Sequence, residues 1–420
     1  MSKNNFIQVF EYQKLRYNGD FKGFEEHHFD AMVKFNERNN NKYFDIIHKG
    51  VRFKSFVGVI QIAGLTIEIL PKADKYEQAS KDLWQSVLLN MLRVCKHIKI
   101  DNVSETSLKK RYNSILDVYF EMYLNEIEEL VKKGLIKKYR RLQHNQLALK
   151  GKLVFSKNIQ YNLVHKERFY CENQIYDKEH LHHHILLKGL KVLDSLINHN
   201  LRDKLNRLLF EFDNIKEINI TSNHFEQITI NRKTTPYRRA IDIAKMLILN
   251  YSPNLSSGSD NMLTLLFDMN KLWEEYIYRI LQKHKPEGHS ISFQNSTNFW
   301  NEKTIRPDIV IINKEKEIFI IDTKWKIVEN NNPSDDDLKQ MFTYNLHWKA
   351  EKSLLLYPRT VQKDLDYGNY HFQPMHKDDN NEIIILKNKC RLGFVSVVQS
   401  KSLRESSIIA EEVFMKLNTF

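Results

Sequence analysis

Cysteine is nearly missing from this chain, with three in 420 residues. Cys95, Cys171 and Cys390 lie far apart, are odd in number and show no Cys-x-x-Cys spacing. That excludes a disulfide framework and fits a reducing cytoplasm, with each cysteine expected as a small buried hydrophobe. Glycine (12) and proline (8) are scarce as well, which argues against collagen-like, low-complexity and largely disordered classes. No stretch approaches the roughly 18 uncharged apolar residues that a membrane span needs. The start, Met1 to Asn5, carries no apolar segment, so no secretory signal is expected. The expectation is a cytoplasmic protein without a membrane partner.

Apolar residues make up 42%, with 24 Phe and 19 Tyr, so a sizeable core can be buried. The length suggests two or three domains. The formal charge is +12, from 64 basic and 52 acidic residues. Such a surplus weighs towards a polyanionic partner bound through phosphate contacts, although a Lys- and Asn-rich composition can also be an organism-wide bias.

Residues 1–75 read as short strands. The run Val51–Ile62, the turn Ala63-Gly64 and the run Leu65–Lys72 predict a hairpin that Pro71 ends. Residues 80–100 and 107–134 read as helices, the second with Leu108, Ile115, Val118, Tyr119, Met122, Ile127, Leu130 and Val131 at helical spacing and Gly134 as its stop. The basic stretch 132–141 follows, read as a solvated helix end or a contact element, and then a strand at Leu147–Phe155. Residues 174–210 and 237–250 are again predicted helical. The segment beginning Tyr251-Ser252-Pro253 is the clearest linker. Beyond it come a helix at about 260–283, strands near 291–294, 306–312, 316–326 and 352–357, and a helix at 335–350. This order gives an α/β layout with a mixed sheet.

The chemistry concentrates in Arg306-Pro307-Asp308 and, after a short turn, Asp322-Thr323-Lys324. Residues two apart on a strand share a face, so Asp322 and Lys324 project together beside Ile318 and Ile320, with Phe319 and Ile321 on the other face. Both faces are apolar upstream, which predicts a central strand covered on both sides. Charges that emerge there bind something or each other, because burying them alone is costly. Asp308 begins the neighbouring strand and reaches the same point. Two carboxylates converging with a lysine suit metal-assisted phosphodiester hydrolysis. A buried Asp–Lys ion pair in an ordinary sheet is the competing reading. Glu274 lies near the edge of the apolar face of the preceding helix and can add a carboxylate. Gln340 and Tyr344 stand at i and i+4, so they share one helix face and can point at the same centre.

This constellation resembles the PD-(D/E)xK nuclease superfamily: Pro307-Asp308, then Asp322-Thr323-Lys324, then Gln340 and Tyr344 as in its RecB-like members. The segments Val57–Lys72, Lys150–Ile159, Val164–Tyr170 and Phe267–Glu274 narrow the likeness to McrC proteins. The matches span about residues 50–360. The resemblance implies an N-terminal β-rich domain with helical segments and a C-terminal restriction-endonuclease-like mixed sheet flanked by helices. It implies Mg²⁺, or Mn²⁺, held by Asp308, Asp322 and Glu274, and it favours Glu274 over Glu275. It also implies a partner, a McrB-like hexameric AAA+ GTPase that this chain stimulates, and a modified double-stranded DNA substrate. No Gly-xxxx-Gly-Lys-Ser/Thr occurs, so no nucleotide is expected on this chain itself. The expected division is 1–165 for partner docking, 166–255 as a helical connector and 256–420 as the nuclease. A stand-alone repair or recombination nuclease and a non-catalytic activator of the ring are the alternatives. His180 and His184, at i and i+4 among four clustered histidines, could form a zinc pair, but no HExxH acid accompanies them.

Overall fold

The two runs around Ala63-Gly64 form the predicted hairpin, Phe56–Ile62 antiparallel to Leu65–Leu70. Ala63 and Gly64 both take positive φ, which makes the reversal tight. The first strand, Phe6–Phe10, joins the hairpin in parallel alongside Leu65–Leu70. All seven residues of Phe56–Ile62 are buried, so this strand is covered on both faces. The computed structural model describes residues 6–19, 21–72, 80–97, 114–197, 201–252, 262–326, 328, 332–358, 364–373, 375–377, 383–385, 387–399 and 402–418. The expected linker lies mostly outside the described residues, as does the expected helix before residue 114. The fold is mixed α/β, as expected.

The chain groups into two compact units, one of residues 1–115 with 266–420, the other of residues 116–265. This differs from the three consecutive segments expected from the sequence. The reason is long-range contact that no local period reveals. The Met269 amide donates to Ser55 O at 2.9 Å, and the Trp325 indole N–H donates to Glu11 at 2.6 Å.

In the first unit a six-stranded sheet runs Ser290–Phe293, Ile309–Ile312, Ile318–Thr323, Lys352–Pro358, Lys389–Val395 and Gly368–Asn369. The first three are antiparallel neighbours, and Lys352–Pro358 then pairs in parallel with the strands on both of its sides. The mixed sheet is as predicted; its strand Lys389–Val395 and the helix Ser406–Asn418 were not. The helix Asp335–Trp348 packs Met341 and Tyr344 on the face that carries Ile320, Leu355, Tyr357 and Phe394, where each fully buried apolar side chain contributes roughly 1.5–3 kcal/mol. Its start is set by Ser334, whose side chain accepts from the Asp337 amide, and by three aspartates in the first turn, which suit the helix dipole. The helix Met269–Lys283 lies against the opposite face, where Trp273 meets Trp325 edge-on at 5.2 Å. Five of the six residues of Ile318–Thr323 are buried, so the strand is covered on both sides.

Residues 262–268, predicted as the start of that helix, are a strand. A short apolar run does not distinguish the two by periodicity, and the Asp268 side chain, accepting from the Asn270 amide at 3.0 Å, fixes the helix start after it. Two further predictions fail in the second unit. Residues 138–146 form a strand instead of a solvated helix end, and it pairs with Phe169–Asp177, whose last four residues fall inside the helix predicted over 174–210. The predicted strand at Leu147–Phe155 shrinks to Lys152–Leu153, before a helix at Phe155–Asn162. Alternation of half-buried and exposed residues along 138–146 was masked by its many charged and amide side chains. The histidine cluster is structural. His180 Nε2 meets Ile136 O at 3.1 Å and His184 Nδ1 meets Lys216 O at 2.8 Å, so the two rings turn to different carbonyls. Burial pushes His182 down to about 4 and His183 down to about 3, keeping both neutral at pH 7. All three cysteines are free and buried. Among the described residues, no helix is long and apolar enough to cross a membrane.

Candidate active site

The antiparallel register that pairs Ile309 with Ile321 places Asp308, one step further, opposite Asp322. Directly opposed residues of such a pair project from one face with Cβ atoms about 5 Å apart. Asp308 also takes over the end of the ladder: its Oδ2 accepts from the Thr323 amide at 2.7 Å and from the Thr323 hydroxyl at 3.1 Å. Thr323 was not singled out from the sequence, because a threonine ending a strand carries no signal of its own. Asp322 is 1% exposed, and its Oδ2 pairs with Lys324 Nζ at 2.7 Å.

Behind Lys324 stands a relay from the helix Asp335–Trp348. Lys324 Nζ donates to Gln340 Oε1 at 3.2 Å, Gln340 Nε2 donates to the Tyr344 hydroxyl at 2.8 Å, and that hydroxyl donates to Arg306 O at 3.0 Å. The i, i+4 spacing thus brings Gln340 and Tyr344 to one edge of the site. Glu274, on the helix Met269–Lys283, accepts from Gln294 Nε2 at 2.6 Å, and the Gln294 amide donates to Asp308 O at 2.8 Å. Gln294, at a positive φ of 50° just past its strand, was missed from the sequence; only the fold brings it between Glu274 and Asp308. All six singled-out residues therefore meet at one end of the sheet.

The electrostatics follow from burial. It pushes Asp308 up to about 7, with the Glu274 charge adding to the rise. It also pushes Asp322 up to about 7, with the Asp308 charge adding and Lys324 opposing. For Lys324 burial is the largest single influence and works towards a lower value, yet the charge and hydrogen bond of Asp322, with the charges of Asp308 and Asp337, together outweigh it and hold the ammonium above its usual range. Lys324 is thus a fixed cation, unsuited to act as a base near neutrality. Burial, with the Asp322 charge adding, raises Tyr344 to about 12, so its hydroxyl stays a donor.

Two buried carboxylates that repel each other offer hard oxygen donors and an electrostatic deficit that a divalent cation would relieve. The donor set therefore fits a magnesium-class ion. Asp308 and Asp322 are the residues facing each other, while Glu274 contributes charge with one oxygen engaged by Gln294. Among the described residues no three His, Cys, Asp or Glu side chains are gathered closely enough to hold a metal by themselves.

A pH dependence follows. Both aspartates bind their protons more tightly in the folded chain than in the unfolded one, so without divalent ions their contribution to stability falls as pH rises from about 4 through about 7. Asp308→Asn keeps an acceptor for Thr323 and removes the repulsion. Its melting temperature is expected to exceed that of the unsubstituted chain above neutrality, with the gap closing in mild acid. Scanning calorimetry in chelator at both ends of that range checks this; a gap that does not change with pH would show that the pair is not strained.

A family model described as "McrBC 5-methylcytosine restriction system component" matches residues 51–358. A curated relative, the Type IV methyl-directed restriction enzyme EcoKMcrBC of Escherichia coli (strain K12), is 22% identical over 274 residues, covering 59% of this chain and 77% of its own. Among solved structures, a half-complex from the tetradecameric assembly of Thermococcus gammatolerans McrB AAA+ hexamers with bound McrC matches with a TM-score of 0.70 at 20% identity, covering 99% of both chains. At that identity the likeness is one of fold.

Proposed function

Since the chain belongs to the family of McrBC 5-methylcytosine restriction system components, we propose that it is the nuclease subunit of such a system, hydrolysing DNA phosphodiester bonds with Mg²⁺. The observation that carries this reading is the pair of opposed, buried aspartates beside a permanently charged lysine. Asp308 and Asp322 would hold the magnesium ion, with Glu274 adding negative charge, and the ion would supply Lewis acidity towards the phosphate and its attacking water. Lys324 stabilises charge developing on the phosphate. Asp322 and Gln340 hold its ammonium in place at 2.7 and 3.2 Å, and Tyr344 anchors Gln340 to the Arg306 carbonyl. The pair stays largely protonated in mild acid, so cutting should rise through neutrality.

The proposed partner is an AAA+ GTPase ring, as in the Thermococcus assembly of McrB hexamers with bound McrC. The second unit supports such a contact by itself. Leu147 is 73% exposed and Val164 84%, with Leu149, Phe155, Ile159 and Leu163 exposed nearby. Apolar side chains concentrated in so short a stretch mark a surface that another protein covers. The basic residues interspersed among them suit an acidic lining or DNA.

The test is plasmid cleavage with Mg²⁺, using methylated and unmethylated DNA, with and without the cognate ring protein and GTP. Cutting that needs the ring, GTP and modified DNA supports the proposal. Cutting by the chain alone would make it a stand-alone nuclease, and no cutting in any mixture would make it an activator of the ring.

A further inference from the structure

The turn after the first strand buries a carboxylate that the mechanism above does not use. Glu11 is 3% exposed. Its Oε1 accepts from the Lys72 amide at 2.8 Å and from the Trp325 indole N–H at 2.6 Å, and its own amide donates to Leu70 O at 2.9 Å. Glu11 is therefore locked to the N-terminal sheet by its backbone and to the far end of the sequence by its side chain. Trp325 directly follows Lys324. Its indole lies edge-on against Trp273 at 5.2 Å, and Trp273 directly precedes Glu274. One hydrogen bond thus sits behind both sides of the site.

The strand carrying Asp322 ends at Thr323, one residue before Lys324. Beyond it the backbone keeps one sheet contact, the Lys324 amide donating to Leu356 O at 2.9 Å. After that point the chain is held by the buried Trp325 side chain and, one residue on, by the Lys326 ammonium on Asp337 at 2.5 Å. A buried indole N–H needs an acceptor, and among the described residues Glu11 provides it at 2.6 Å. Burial pushes the Glu11 carboxyl up to about 7, so a neutral amide of the same shape is tolerated there.

From this geometry we infer that Glu11 is a positioning residue: through Trp325 it fixes the placement of Lys324, and through Trp273 that of Glu274, making the site depend on the N-terminal strand layer. The inference rests on the nuclease reading for its effect on catalysis, but not for its effect on Lys324.

The experiment compares Glu11→Leu, Glu11→Gln and Trp325→Phe in the full chain assembled with its ring partner. Glu11→Leu removes the acceptor and Trp325→Phe removes the indole donor, whereas Glu11→Gln keeps an oxygen for both the Lys72 amide and the Trp325 indole N–H. The first two should each lower kcat about tenfold or more with little change in KM for DNA, since a small misplacement far from the chemistry is costly. The double substitution should be no worse than either alone, and Glu11→Gln should cut nearly as the unsubstituted chain does. Acetylation of Lys324, followed by mass spectrometry of the isolated chain, is the readout independent of cutting. It should rise in Glu11→Leu and Trp325→Phe and stay low in Glu11→Gln. Unchanged Lys324 acetylation in folded Glu11→Leu or Trp325→Phe would overturn the inference, as would an equal loss of kcat in Glu11→Gln. If Glu11→Leu does not fold, Trp325→Phe and Glu11→Gln decide. If the unsubstituted chain never cuts while Lys324 acetylation still follows this pattern, the nuclease reading fails and the positioning role stands.

Discussion

Asp308→Ala is expected to lower DNA cutting by on the order of 10³-fold or more, measured on modified plasmid with the ring partner, GTP and Mg²⁺. The reason is the register: Asp308 stands opposite Asp322, and burial pushes both up to about 7, with the Glu274 charge adding at Asp308 and the Asp308 charge adding at Asp322. Removing one carboxylate leaves a single acidic ligand and a lysine, which together do not attract a divalent cation. The fold should survive, because relief of like-charge repulsion offsets the lost acceptor of the Thr323 amide and hydroxyl, and Thr323 stays paired with Leu356 at the end of its strand. Stimulation of the ring's GTP hydrolysis should persist, since the apolar surface proposed to dock lies in the other unit. Loss of both cutting and stimulation, with the chain still folded, would contradict this separation of roles.

Lys324→Ala is expected to lower cutting about 10²- to 10³-fold, and here stability should fall too. Asp322 is 1% exposed and has Lys324 Nζ at 2.7 Å as its countercharge. Removing the ammonium leaves a buried carboxylate beside Asp308 with less to hold its charge, which drives it further towards the protonated form. Lys324→Arg should not restore cutting, because a planar guanidinium does not reproduce the single point contacts to Asp322 and Gln340. Single-turnover cleavage checks the first part, and thermal unfolding above neutrality the second. An arginine variant that cuts normally would show that any cation suffices.

Both outcomes depend on residues that the sequence displays, and the reason is locality. Asp308, Asp322 and Lys324 sit on or next to the ends of two strands joined by a short turn, so a period of two and a hairpin suffice to predict their meeting. Gln340 and Tyr344 share a helical face by spacing alone, and the relay from Lys324 to Arg306 uses that spacing. What was not legible depends on distance in the chain or on chemically silent residues. Thr323 and Gln294 position Asp308 and Glu274 through hydrogen bonds that no motif encodes. Glu11 reaches Trp325 across most of the sequence. The strand Lys138–Gln146 hid its alternation under polar side chains, and Met262–Asp268 was too uniformly apolar to show a period. The grouping of residues 1–115 with 266–420 could not be read from a linear scan, which places boundaries only where composition changes.

The central claim is that Asp308 and Asp322 are a cation-binding pair. Titration calorimetry with Mg²⁺, and with Mn²⁺ as the stronger ligand, tests it without requiring any cutting. The account predicts saturable binding above neutrality to the unsubstituted chain, weakening in mild acid as the pair protonates and lost in Asp308→Asn with Asp322→Asn. Binding that survives the double substitution, or no binding to the unsubstituted chain assembled with DNA and its partner, would contradict it.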